Sequence, residues 1–281
     1  MKILSRLHPL CCFAYLAAVL LITIFTRQPV VLLISAAGAA LLLSLSGMAG
    51  YTLWLPVITA ASAAINPIFV HRGDTVLFFV GDYAVTLESI AYGAVFGLML
   101  SAAAGWSMAA VKYMTSDKYI WLFGRILPTS GLVLSCALRL VPLFIRRTRD
   151  FSAAGEGGVK ASLKAFSAAV GYSAEQAMVS ADSMRARGYG TAKRTSYSLY
   201  RFGFPEGAVL AAIAALSAAA AVLMCAGAAD FDFYPALTPL CSGAAEISLY
   251  AVFGALCLMP SAAVVYEKIR RSRISARKGA F

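Results

Sequence analysis

Apolar residues come in long runs rather than alternating with polar ones. Six runs approach the ~20 residues that a helix needs to cross the hydrocarbon of a bilayer. They cover residues 10–26, 29–47, 51–66, 88–111, 205–228 and 245–266. Arg27-Gln28-Pro29 separates the first from the second, and Gly47 to Gly50 separates the second from the third. Between the third and fourth lies Asn66-Pro67-Ile68-Phe69-Val70-His71-Arg72-Gly73-Asp74, followed by Thr75 to Val80 and then Gly81-Asp82. This stretch reads as an external segment with a short strand-like or re-entrant piece. Asp230 and Asp232 mark a second external loop.

The stretch 112–204 has a different pattern. It is too apolar for a solvated loop and too charged for a plain span. Leu132 to Ile145 is apolar apart from Ser135 and Arg139, and Pro142 is expected to bend or interrupt it. Arg146, Arg147 and Arg149 follow, so this piece suits the membrane surface, with its apolar side on lipid and its arginines on phosphates. Gly155-Glu156-Gly157-Gly158 punctuates the chain. A second helical stretch over 159–187 places Ala174, Ala177, Met178, Ala181 and Met184 on one face. Two or three amphipathic helices are expected here.

Composition agrees with a membrane chain: 60% of residues are hydrophobic and 13% charged, the latter well below the ~25% of soluble domains. The net charge of +11 could signal nucleic-acid binding, but its distribution argues otherwise. Of 24 Lys and Arg, all but Lys2, Arg6, Arg27 and Arg72 lie between Lys112 and Arg201 or in the tail from Lys268 to Lys278. Clusters beside apolar runs follow the positive-inside rule, which puts the N-terminus, 112–204 and the tail in the cytosol. Lys2 and Arg6 before the first run resemble a signal peptide. With no small-residue cleavage site, an uncleaved first span is expected.

Chemistry-bearing patterns are few. The six cysteines are scattered and form no metal-spaced pair, and His8 and His71 are far apart. Gly155-Glu-Gly-Gly-Val-Lys160 lacks the Gly-Lys-Ser/Thr of a phosphate-binding loop. No catalytic set, metal or cofactor is expected. Glu88, Glu206 and Glu246 sit at span ends rather than mid-membrane, which argues against a carrier that energises transport alone.

Two features remain. Gly93, Gly97, Ser101 and Gly105 recur every four residues and lay a smooth stripe on one helix face. It suits a partner membrane protein or ordinary internal packing, and internal packing is the favoured use. Ser183-Met-Arg-Ala-Arg-Gly-Tyr-Gly190 ends a helix, with Gly188 placed for a left-handed stop and two arginines in the last turn. It reads as a charged plug made to dock on something acidic, or as a solvated helix end.

Several stretches together carry a resemblance: Asn66-Pro67-Ile68-Phe69 with His71-Arg72-Gly73; Thr115-Ser116-Asp117-Lys118; Phe123-Gly124-Arg125-Ile126-Leu127-Pro128; Leu138-Arg139-Leu140-Val141-Pro142; and Ala181 to Gly190. From about His8 to Phe202 the chain resembles the transmembrane T component of energy-coupling factor transporters, the vitamin and metal importers of prokaryotes. The resemblance implies a scaffold in the plasma membrane with no active site of its own. Two Arg-centred motifs at coupling-helix ends would dock on two ATP-binding-cassette ATPase subunits. A small membrane S component would bind the cargo and ride on the scaffold. The second motif falls on Ala186, Arg187 and Gly188, with Arg185 beside it. The place of the first falls near Gly157-Gly158-Val159, where no arginine stands, which shifts that contact to Arg149 or Lys160.

The expected fold is all-α and polytopic, with about six transmembrane helices and a cytosolic coupling-helix region. Residues 1–111 carry the first spans, 112–204 the coupling helices, 205–267 the last spans and 268–281 a basic cytosolic tail. Expected partners are the two ATPases, the S component and membrane lipid, with no nucleic acid. The alternatives are a carrier or enzyme acting alone, or a membrane-anchored interaction protein.

Overall fold

The computed structural model describes residues 7–70, 75–80, 83–126, 128–153, 158–191, 200, 202–233 and 243–278. Lys2, Arg6, His71 to Asp74, Gly81, Asp82, Leu127 and Gly155 to Gly157 lie outside these residues. The chain forms two compact units, one of Met1–Thr115 with Phe202–Phe281, the other of Ser116–Arg201.

The first unit opens with α1 (Pro9–Phe25) and α2 (Pro29–Leu45), each with proline in its first turn, where the missing N–H costs nothing. His8 caps α1 by accepting from the Leu10 N–H at 3.3 Å. A one-turn α3 (Ala49–Thr52) leads into α4 (Trp54–Phe69). A hairpin, β1 (Val76–Val80) and β2 (Tyr83–Thr86), pairs antiparallel with Val76 opposite Thr86 and Val80 opposite Tyr83. Next comes α5 (Leu87–Tyr113), whose cap Thr86 accepts from Ser89 N–H.

Among the described residues, five stretches are long and apolar enough to cross a membrane: Ala49–Phe69, Leu87–Tyr113, Thr129–Ala153, Phe204–Ala228 and Ala244–Arg270. The chain is an all-α, polytopic membrane protein. The set differs from the six expected runs in two ways. The first two helices have 17 residues each, the lower end of what spans hydrocarbon. Thr129–Ala153, expected at the interface, also meets the length and apolarity of a span. The expected external segment begins later than its sequence suggested, because α4 continues through Asn66-Pro67 to Phe69. Asn66 instead ties α4 to α5, its Nδ2 donating to the Ser89 carbonyl at 2.7 Å.

The core of this unit gathers around Trp106, fully buried, with Ala102 and Ala109 on its own helix and Val31, Leu32, Ala39 and Leu42 of α2. Several of its buried polar groups bond across helices, which offsets the cost of burying them in a bilayer. Trp106 Nε1 donates to Ser35 Oγ at 3.0 Å, and Ser35 shares a 2.7 Å bond with Thr23 of α1. Tyr15 donates to the Leu256 carbonyl at 3.2 Å. The unit closes with α9 (Phe204–Leu223), a kinked end over Met224–Ala228 with Gly227 at a φ of 86°, and α10 (Ala244–Lys278), which packs on α2 and α9.

The second unit holds α6 (Ser116–Ile126), α7 (Pro128–Ala153) and α8 (Val159–Ala186). Pro142 does not break α7, which runs unbroken through it. Where α6 meets α7, a Cβ on Gly131 would stand 2.5 Å from Gly124 Cα, so the two glycines let the backbones touch. Between α7 and α8 lie the buried Ala165 and Ala169, a Phe144–Phe166 edge contact at 5.6 Å, and Arg147 stacked 4.8 Å over Tyr172.

Candidate functional site

The tip of α8 is built by its backbone. Arg187 is the last residue before the turn, and Gly188 takes a φ of 80°, the left-handed region where a Cβ would be strained. That single turn closes a Schellman motif. Tyr189 N–H reaches back to the Met184 carbonyl at 3.0 Å and Gly188 N–H to Arg185 at 2.9 Å. Arg187 N–H bonds the Ser183 carbonyl at 3.2 Å. The Gly188 carbonyl in turn accepts from Thr191, by its N–H at 3.2 Å and its hydroxyl at 2.7 Å. The Ser183, Met184 and Arg185 carbonyls are thus occupied within the chain. A partner arriving here also meets the side chains at the tip.

Those side chains are Arg185, Ala186, Arg187 and Tyr189, all exposed. The two arginines differ. Arg185 lies 3.9 Å from Asp182 in an exposed pair on the helix surface. Among the described residues Arg187 makes no ion pair, so its fork of donors faces solvent. Both cations stand where the helix end favours positive charge. Of the two positions considered for the other arginine motif, Arg149 lies in the last turns of α7 and Lys160 in the first turn of α8, both exposed.

The small-residue stripe is used differently. Gly93, Gly97, Ser101 and Gly105 are all buried, and what covers them is this same unit. A Cβ on Gly97 would stand 2.8 Å from Thr59 Cα and 2.9 Å from the Thr59 carbonyl. One on Gly93 would meet Asn66 Cβ at 2.6 Å, and one on Gly105 would meet Ala39 Cβ at 2.9 Å. Ser101 accepts from Thr59 Oγ1 at 3.3 Å. The stripe therefore seats α4 and α2 on α5 and is not an open face for a separate membrane protein. The physical reason is contact distance: helices this close leave no room for anything between them.

Sequence reading missed Gly124 and Gly131, whose contact lets α6 and α7 touch. Their spacing across Pro128 was the available signal. Among the described residues no three His, Cys, Asp or Glu side chains gather as a metal site would require. No protein-family model matches the chain, and no curated protein matches it.

Proposed function

We propose that the chain is the membrane scaffold subunit of an ATP-driven importer of the energy-coupling factor type, in a prokaryotic plasma membrane. In this reading the second unit carries the coupling helices, and the tip of α8 docks on an ATP-binding-cassette subunit. The two ATPases hydrolyse ATP. This chain passes their motion to a small S component that holds a vitamin or metal. The clustered basic residues favour cytosolic termini and a cytosolic second unit.

The observation that carries the reading is Arg187: an exposed arginine with no ion pair among the described residues, on a helix end closed by a Schellman turn. Such a group gains most from a desolvated carboxylate on another protein. Removing one partner of a buried interface pair costs about 2–5 kcal/mol, largely from the charge left behind.

The test is affinity purification of the tagged chain from its host membrane in mild detergent. Two ATPase subunits and a small membrane protein are expected to come with it. Arg187→Ala is expected to lose the ATPases while its amount in the membrane is unchanged. If Arg187→Ala carries its ATPases at wild-type yield and supports wild-type uptake, the docking role is wrong.

A further inference from the structure

The last helix is longer than a bilayer needs. α10 runs unbroken from Ala244 to Lys278, 35 residues, or about 52 Å at the rise of an α-helix. The hydrocarbon of a bilayer is about 30 Å thick. The stretch from Ala244 to Tyr266 alone covers about 34 Å. Tyr266 is 64% exposed, and exposed tyrosines are enriched where a span meets the headgroups.

Past Tyr266 the charge is almost entirely positive. Six Lys and Arg stand between Lys268 and Lys278, and no Asp or Glu follows Glu267. Glu267 itself is buried. Lys268 and Arg270 are exposed, and neither makes an ion pair among the described residues. Two residues on a helix point about 200° apart, so these cations stand on nearly opposite sides of α10. Along the axis they lie about 3 and 6 Å past Tyr266, inside the polar layer that flanks the hydrocarbon.

The helix fixes that depth. A loose tail of the same composition would spread its charges into solvent. Here Arg271, Arg273, Arg277 and Lys278 follow on the same unbroken backbone. Arg271 and Arg273 fall within about 8 Å of Lys268 along the axis, about one Debye length at physiological salt.

We propose that this end of α10 binds anionic phospholipids, their phosphates gathered around the helix at Lys268 and Arg270. Charge selects the occupant. Unpaired cations at headgroup depth, with the one neighbouring acid buried, favour a net negative headgroup over a zwitterionic one. Clusters of four to eight Lys and Arg beside a span bind anionic lipid in this way. An acidic protein would have to reach cations that lie within the headgroup layer, where lipid is already in contact with them. The site stands whether or not the chain belongs to an importer.

Nanodiscs holding the full chain test this. Tyr266→Trp serves as the reporter, read against the chain without it. Its fluorescence is quenched with dibrominated phosphatidylglycerol or with the same fraction of dibrominated phosphatidylcholine, in a background of plain phosphatidylcholine. Phosphatidylglycerol is expected to quench more strongly. The ratio of the two apparent affinities is expected to fall about fivefold or more in Lys268→Gln with Arg270→Gln, at least the factor that one basic residue near the surface is worth. Lys268→Arg keeps the charge and should keep the ratio. Thermal unfolding checks that the variants are folded. Equal quenching by both lipids, or an unchanged ratio in the folded double variant, overturns the site. So does inorganic phosphate that abolishes the preference when sodium chloride of the same ionic strength does not, since the site would then be one for free phosphate.

Discussion

The stripe on α5 and the tip of α8 both depend on glycine, for opposite reasons. At Gly97 the need is for space: the neighbouring backbone leaves none for a side chain. At Gly188 an added Cβ would meet a side-chain hydroxyl, that of Thr191 at 3.3 Å, which must give by only a few tenths of an ångström, and the main need is for a φ of 80°. The first glycine is consumed by packing within the chain, so its face is closed to partners. The second shapes a helix end and leaves the neighbouring arginine outside. A small residue in a sequence marks a demand on the backbone, but burial decides whether that demand is met within the molecule or presented to another one.

The strongest way to break the comparison is Gly97→Leu. Overfilling a packed contact costs about 1–3 kcal/mol, sometimes more, and here two of the three nearest atoms belong to the Thr59 backbone, which cannot swing aside. Thermal unfolding in detergent is expected to fall clearly below wild type. Leu100→Phe, on the exposed side of the same helix, is expected to leave it nearly unchanged. Were the stripe a partner surface after all, Gly97→Leu would unfold like wild type and lose only its assembly.

Gly188→Ala sharpens the other half. A left-handed alanine costs about 1–2 kcal/mol, and the bonds from Gly188 and Tyr189 that close α8 depend on that conformation. Faster hydrogen exchange at those two amides is expected. Gly171→Ala, in the middle of α8 with open space around it, is expected to stabilise the same helix by about 0.5–1 kcal/mol. Destabilisation of equal size by both would mean that α8 simply resists side chains on its glycines, and the distinction drawn at Gly188 would fail.

Much of this was legible in the chain, and the failures have physical causes. The run of α8 was readable because its apolar positions keep helical spacing and a glycine follows its last turn: 159–187 was expected and Val159–Ala186 is observed. The strand character of Val76–Val80 was readable from its β-branched and aromatic residues. Pro67 and Pro142 misled because proline removes one hydrogen bond without forcing a helix to end, and in α4 and α7 the flanking turns carry on. The stripe's period was plain, but the identity of its neighbour was not. Sequence spacing says which side chains share a face and nothing of what covers it.

The smallest expected effect gives the finest test of the tip. Arg185 and Arg187 stand two positions apart and look equivalent in sequence, yet Arg185 has Asp182 at 3.9 Å with both side chains about four-fifths exposed. An exposed pair of this kind is worth about 0.2–1 kcal/mol, and less at high salt. Arg185→Ala is therefore expected to change thermal stability by no more than about 0.5 kcal/mol. It should also weaken ATPase association far less than Arg187→Ala. The ratio of the two variants in one pull-down is the informative quantity. It cancels general effects of net charge on the surface, because each variant removes a single positive charge from the same helix end. If docking needs one directed guanidinium, the two differ strongly and the difference survives added salt. If both variants lose the ATPases equally and both recover at low ionic strength, the contact is a diffuse attraction to a basic helix end, and Arg187 has no special place in it.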